Sequence, residues 1–330
     1  ASIDYAVIAF AGGLTRVEGS FAGFNAIETR QGILRLTNSL MEHNANGRGG
    51  QAEANREGRG VNGEAAIYVH ATQPIIVNNV IQNTVGYQTP VINIDVNSLN
   101  GERVKDYGRS TGPVDLITAY IDNHGPLIRE NKLANNSLNG MEVRAATLTT
   151  EGVWDDTDIV HVVFDDIAIP NVHTFGGLRL ESSSTESLVV KMQGNDAGFH
   201  ATGMASDYED RIGGMLHILG QPGHPVVLTS LGDDSVGAGF DPAGRPQFDT
   251  DGPQRPERTQ LPGSFQIDLN FGPVIRLRPH IIDAVQEAAR IWERLVEDPI
   301  TVTFDFELAD SGDGNLGGAL AEFTNVDYDI

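Results

Sequence analysis

Two separated stretches of this chain repeat one alternation of aliphatic residues and asparagine, and that repeat limits what the chain can fold into. Residues 74–83 align without a gap on residues 126–135, so that Asn79 falls on Asn131, Ile81 on Leu133 and Asn83 on Asn135. A weaker copy occupies residues 34–44, with Asn38 and Leu40 in the matching places. Self-similarity at wide spacing is the signature of stacked coils. A lone coil of short strands and polar corners cannot bury its own apolar side chains, so it stacks on the next. Asparagine suits the corners because it tolerates left-handed backbone and bonds to its own main chain. Stacked asparagines also bond to one another up the ladder. The expected fold is mainly β: a right-handed parallel β-helix, a solenoid, with a small C-terminal α+β unit.

Composition agrees with that shape. Apolar residues make up 40% of the 330, enough for a core, while 7% aromatics suits thin ladders of Ile, Leu and Val. A formal charge of −23 makes nucleic acid and anionic membranes poor partners, because the long-range field repels phosphate. The lysines are Lys105, Lys132 and Lys191, and an acidic, lysine-poor surface suits a salty or calcium-rich medium. The absence of cysteine excludes disulfides, thiol catalysis and Cys-based zinc sites. No run approaches the ~18 apolar residues of a membrane span. Residues 1–12 lack the basic start and apolar core of an intact signal peptide, so a processed start or an excised piece is expected.

The domain plan follows from breaks in the pattern. Residues 1–245 read as the β-helix, with a loop inserted at about 45–64 where apolar residues almost vanish. Residues 103–112 form a second polar excursion, and residues 159–164 are nearly all apolar, as in a buried strand. Residues 246–263 are a Pro/Gly-rich linker. Residues 264–330 read as a β-α-β unit: alternation at 265–271, an amphipathic helix at 279–297 and alternation again at 300–308. Phe265, Trp292, Phe304 and Phe306 of this unit are expected to serve self-association.

The stretch 214–220, a short Pro/Gly turn, 225–231 and Gly232-Asp233-Asp234-Ser235 resembles a coil of secreted bacterial right-handed parallel β-helix repeat proteins. Residues 127–144 are similar to coils of the same proteins. The resemblance covers most of residues 30–245 and implies the fold and an extracellular or cell-surface location. It does not choose a task, since that fold carries lyases, hydrolases, adhesins and structural spans. The C-terminal segment resembles the opening of a zincin-type metalloprotease domain. Zincins need H-E-x-x-H on a helix, and none of the nine histidines has that neighbourhood. Asp165-Asp166 and Asp122-Asn123-His124-Gly125 resemble features of the polygalacturonase group, but no R-I-K tripeptide accompanies them. These carboxylates are therefore expected to solvate corners, and the single arginines Arg129 and Arg144 to face solvent. With no complete catalytic motif, the chain is not expected to be an enzyme.

Calcium is the one ion the sequence invites, because it takes carboxylate and carbonyl oxygens. Asp233 and Asp234, Asp249 and Asp251, and Asp310 and Asp313 sit in short acidic, Gly-containing turns, with the Asp233–Asp234 turn first choice. No other cofactor is called for. An uncapped solenoid leaves an open edge at each end. The expected function is an extracellular structural subunit of a fibre, matrix or surface layer, with copies of itself as partners, head-to-tail or by strand exchange. The alternatives are a carbohydrate-active or carbohydrate-binding β-helix for acidic or neutral polysaccharide, and a non-catalytic segment of a giant secreted protein.

Overall fold

The computed structural model describes residues 1–17, 20–47, 62–84, 86, 88–108, 112–171, 177–204, 212–252, 266–271 and 301–306. The chain divides into two compact units, Ala1–Pro253 and Gln254–Ile330.

The first unit is built of repeating parallel sheets. One sheet joins Ser2–Asp4, Arg35–Thr37, Ile75–Val77 and Leu127–Arg129. The second joins Val7–Ala9, Leu40–Glu42, Val80–Gln82 and Lys132–Ala134. The third has seven strands: Ile27–Arg30, Ile67–His70, Pro90–Asp95, Leu138–Arg144, His161–Val163, Leu188–Met192 and Val226–Ser230. The chain visits the three in turn and returns, a solenoid-like path. Later coils replace the first two sheets by Gly152–Trp154, Leu178–Glu181 and Leu216–Leu219, and by Asp166–Ile169 with Gly198–Ala201.

Register turns the sequence repeat into columns. Ile3, Leu36, Ile76 and Ile128 pair in succession, as do Ile8, Met41, Ile81 and Leu133. A third column runs Ile27, Ile67, Ile92, Met141, His161, Val190 and Leu228. In the middle coils these aliphatic side chains are wholly buried, each contributing ~1.5–3 kcal/mol of transfer free energy.

The corners assign the asparagines two different tasks. At each corner one residue adopts left-handed backbone: Tyr5, Asn38, Asn78 and Glu130 at the first, Phe10, His43, Asn83 and Asn135 at the second. The following residue turns its side chain inward. Ser39 Oγ accepts from Ala6 N (3.0 Å), Asn79 Oδ1 from Ser39 N (3.0 Å), and Asn131 Oδ1 from Asn79 N (3.2 Å) and Asn79 Nδ2 (3.0 Å). At the second corner Asn44 Oδ1 accepts from Ala11 N and Asn136 Oδ1 from Thr84 N. The weaker copy is therefore shifted by one residue from the alignment above: Ser39, not Asn38, stands on Asn79, and Met41, not Leu40, on Ile81. Asn38 instead belongs to the left-handed column and accepts from Asn78 Nδ2 at 2.7 Å.

Two excursions return to cover outer sheet faces. Val104, Ile117 and Tyr120 pack on Ile75, Val77 and Leu127. Buried Arg35 forks onto Asp106 through Nε (3.0 and 3.2 Å) and Nη2 (3.1 Å) beneath the same excursion. A strap, residues 231–252, lays Leu231, Val236 and Ala238 on Leu138, Val160, Val162 and Val189. Val162 thus faces the strap rather than the inside of the stack. Apolar cover on both faces explains why residues 159–164 are nearly all apolar. The strap is pinned where Leu133 N donates to Phe240 O (3.1 Å) and Asn139 N to Thr250 O (2.7 Å). Residues 246–252, read from sequence as linker, belong to it; residues 253–263 lie outside the described residues.

In the second unit, Gln266–Phe271 and Thr301–Phe306 pair in parallel, Leu269 with Phe304 and Phe271 with Phe306. Parallel neighbours need a crossover connection. The helix expected over 279–297, with Trp292, and Phe265 lie outside the described residues. Among the described residues no helix is long and apolar enough to cross a membrane.

Replacing Asn131 by Ala removes the acceptor of Asn79 N–H and the donor to Ile76 O. The expected loss in urea-induced equilibrium unfolding is about 2–6 kcal/mol, from ~1–3 for each of the two orphaned buried groups. Asn135→Gly, in the exposed left-handed column, should change stability by less than about 0.5 kcal/mol, because glycine is free at positive φ.

Candidate functional site

The first excursion, strand Leu127–Arg129, the turn at 155–158 and Glu186 converge on Arg129. Its Nε donates to Asn123 Oδ1 (3.2 Å), Nη1 to Thr157 Oγ1 (2.8 Å) and Glu186 Oε2 (3.1 Å), and Nη2 to Asp155 O (3.1 Å). The guanidinium also lies 5.2 Å from the Tyr120 ring centre and 3.7 Å from Asp158. Arg129 is therefore a buried hub, not the solvent-facing residue expected of a lone arginine on a repeat strand. Arg144 departs from that expectation too: it stacks 4.3 Å over Tyr68 and donates to Val69 O at 2.7 Å. The signal for the hub was present in part, since Arg129 stands in register with Val77 and Thr37. A charged turn, Asp155-Asp156-Thr157-Asp158, follows one coil later.

One guanidinium faces four carboxylates. Burial works against the Arg129 charge, yet Asp158, Asp156 and Glu186 carry its pKa above the ordinary value. Burial, then the charge of Asp155, pushes the Asp156 carboxyl well above the usual range. Asp156 is fully buried; Asn123 Nδ2 donates to its Oδ1 at 3.4 Å. Burial lifts Asp158 to about 6 against the pull of Arg129. Asp155 is also raised by burial, although His124 Nδ1 lies 2.8 Å from it. Beside the hub opens a groove of about 400 Å³, lined among others by Tyr120, Glu130, Lys132, Asp158, Glu186 and Phe240.

The acidic turns behave unequally. Asp234, Asp249 and Asp251 each offer a carboxylate oxygen within 4.8 Å of the others, and among the described residues this trio is the group that could hold a divalent ion. Asp233, expected to join them, is occupied: it accepts from Thr229 Oγ1 (2.6 Å) and from Ser235 N (3.0 Å), and hydrogen bonds from Ser235 and Thr229 hold it at about 2. Asp310 and Asp313 lie outside the described residues. The buried Lys191 donates to Asp233 O (2.7 Å) and Phe248 O (3.2 Å). Burial lowers its pKa while Asp234, Asp233, Asp251 and Asp249 support the charge. The chain thus supplies a cation of its own next to the trio, and calcium would share that field.

The other residues singled out from sequence have structural surroundings. Asp165 and Asp166 are exposed, with Asp166 3.6 Å from His200. His161 lies inside the stack against Trp154, ring centres 5.2 Å apart, and burial pushes it down to about 3, so it is neutral. No known protein family, curated protein or solved structure matches the chain. Its class rests on architecture: a mainly-β protein of repeating parallel sheets in a solenoid-like arrangement.

Burial also lifts Glu142 to about 7. Asp158 and Glu142 keep protons in the folded state that the unfolded chain begins to release near pH 4. These two groups therefore lower stability as pH rises from about 4 to 7, opposed below about pH 6.5 by His161, which is neutral in the fold but charged in the unfolded chain. Asp158 and Glu142 each contribute on the order of 3 kcal/mol, from ~1.4 per tenfold change in proton affinity. Asp106 and Asp233, whose values are lowered, act only below about pH 4. The melting temperature is expected to be higher at pH 5 than at pH 8, with Glu142→Gln flattening the upper part of that slope.

Proposed function

We propose that the first unit is a right-handed parallel β-helix and that the chain is an extracellular structural subunit associating with its own copies through its ends. The observation that carries this reading is burial along the core columns. Leu36, Met41 and Ile67 are fully buried, whereas Ile3, Ile8 and Ile27, their partners in the first coil, are partly exposed. At the other end Leu180 and Val190 are fully buried, but their partners Ile218 and Leu228 are 47% and 39% exposed. The seven-stranded sheet has Ile27–Arg30 at one edge and Val226–Ser230 at the other. Open edges carry unpaired main-chain groups that accept a further strand. Because every pairing in that sheet is parallel, one copy continues the sheet of another head to tail, a heterologous contact that propagates. The parallel strand pair of the second unit supports a strand–helix–strand arrangement whose role is contact rather than catalysis.

The net charge of −23 opposes association at low ionic strength. Sedimentation velocity is expected to show concentration-dependent growth that salt promotes, and electron microscopy to show linear assemblies. Ile218→Asp and Leu228→Asp should abolish both while keeping the circular dichroism spectrum. A monomer at every concentration and salt level overturns the reading.

A further inference from the structure

We propose that the groove beside Arg129 binds a compact primary ammonium group, on a small free amine or an amino sugar. The reasoning is independent of end-to-end association and starts from a tally of donors and acceptors. The donors around the groove are largely spent. Arg129 is committed to Asn123, Thr157, Glu186 and Asp155 O. The Tyr120 hydroxyl donates to Glu130 Oε1 at 2.6 Å, Asn131 Nδ2 to Ile76 O and Asn78 Nδ2 to Asn38 Oδ1. Lys132 remains as the one uncommitted cationic donor among the lining residues.

Acceptors are in excess. Asp158 Oδ1 is shielded from water and makes no hydrogen bond; its contact with Arg129 is a 3.7 Å ion pair. Glu186 uses Oε2 for both Arg129 and Thr157, and Glu130 uses Oε1 for Tyr120. Their second oxygens take no hydrogen bond among the described residues. Three carboxylates therefore line the groove, with Asp155 behind them, against Arg129 and Lys132. The reachable acceptors are the free oxygens of Glu186 and Glu130, with the Asp158 charge behind them, so a charged N–H donor is favoured. A ligand carboxylate or phosphate would meet three carboxylates with Lys132 as its one free counter-charge, since Arg129 is already saturated. The half-exposed Phe240 ring and the Tyr120 ring give an apolar wall for a short stem. A cavity of about 400 Å³ admits a small molecule.

The test is calorimetric titration of the full chain at pH 7 with n-butylamine, glucosamine and glucose. Saturable single-site binding of butylamine or glucosamine is expected, and the tighter of the two identifies the source of the amine. Glu186→Gln and Asp158→Asn should each weaken it about tenfold, and Asp165→Asn, at an exposed corner, should leave it unchanged. Glu130→Gln, an exposed change that spares the hub, should also weaken binding and serves if the two hub variants fail to fold. Lowering the pH to 5 should weaken binding as Asp158 takes up a proton. No saturable amine binding, equal binding of glucose, or equal loss in Asp165→Asn overturns the proposal.

Discussion

Each of the first four coils turns through residues in left-handed backbone, and the next N–H is then left pointing along the stack with no strand partner. Such a buried donor must be satisfied. Here the oxygen of a Ser or Asn one coil further on accepts it, so the corner bond also locks neighbouring coils in register. These bonds span 33, 40 and 52 residues, and coils of unequal length therefore stack on the same two corners. The extra residues leave the stack between the shared strands. The columns of Ile, Leu and Met, and hence the core, follow from that register, because a one-residue slip would turn each side chain to the opposite face. Both ladders end in the first coil at alanine, Ala6 and Ala11, whose side chains have no acceptor to offer another N–H.

The excursions that leave the stack return to it by burying cations. Arg35 holds the first excursion through Asp106. Arg129 joins that excursion to the 155–158 turn, and Lys191 holds the strap through two carbonyls. Without cysteine, the long loops are fastened by charge and hydrogen bonds. Buried ion pairs add little net stability when complete, but removing one partner costs ~3–5 kcal/mol. They specify where a loop docks more than they strengthen the docking. A chain with a formal charge of −23 thus keeps some of its few cations inside.

That economy shapes the site. The Arg129 hub has more carboxylates than one guanidinium can neutralise, so burial and mutual repulsion shift protons instead. Asp156 is raised well above the usual carboxylate range, Asp158 is lifted to about 6, and the outermost acceptors face an open groove. The Asp234, Asp249 and Asp251 trio has the same surplus, tempered by Lys191.

Much of the architecture was legible in the sequence because stacking repeats local patterns: the alignment of 74–83 on 126–135 is the strand register itself. It was less exact where two tasks share one residue type. Asparagine serves both the left-handed position and the inward ladder, and Asn38 was read into the wrong column because Ser39 performs the ladder task with a different side chain. The acidic trio was partly legible, since Asp234, Asp249 and Asp251 were singled out, but whether Asp233 joined them depended on Thr229 and Ser235. Arg129 was legible as a hub only in part, because Asn123, Thr157 and Glu186 come from the excursion and from later coils. The sequence by itself determined the coil, its corners and its apolar columns, for these rest on period and local backbone preference. Only the tertiary structure decided which outer faces are covered, which arginines are buried and which carboxylates are raised by burial. Those depend on where non-repeating segments fold back, and no period in the sequence records that.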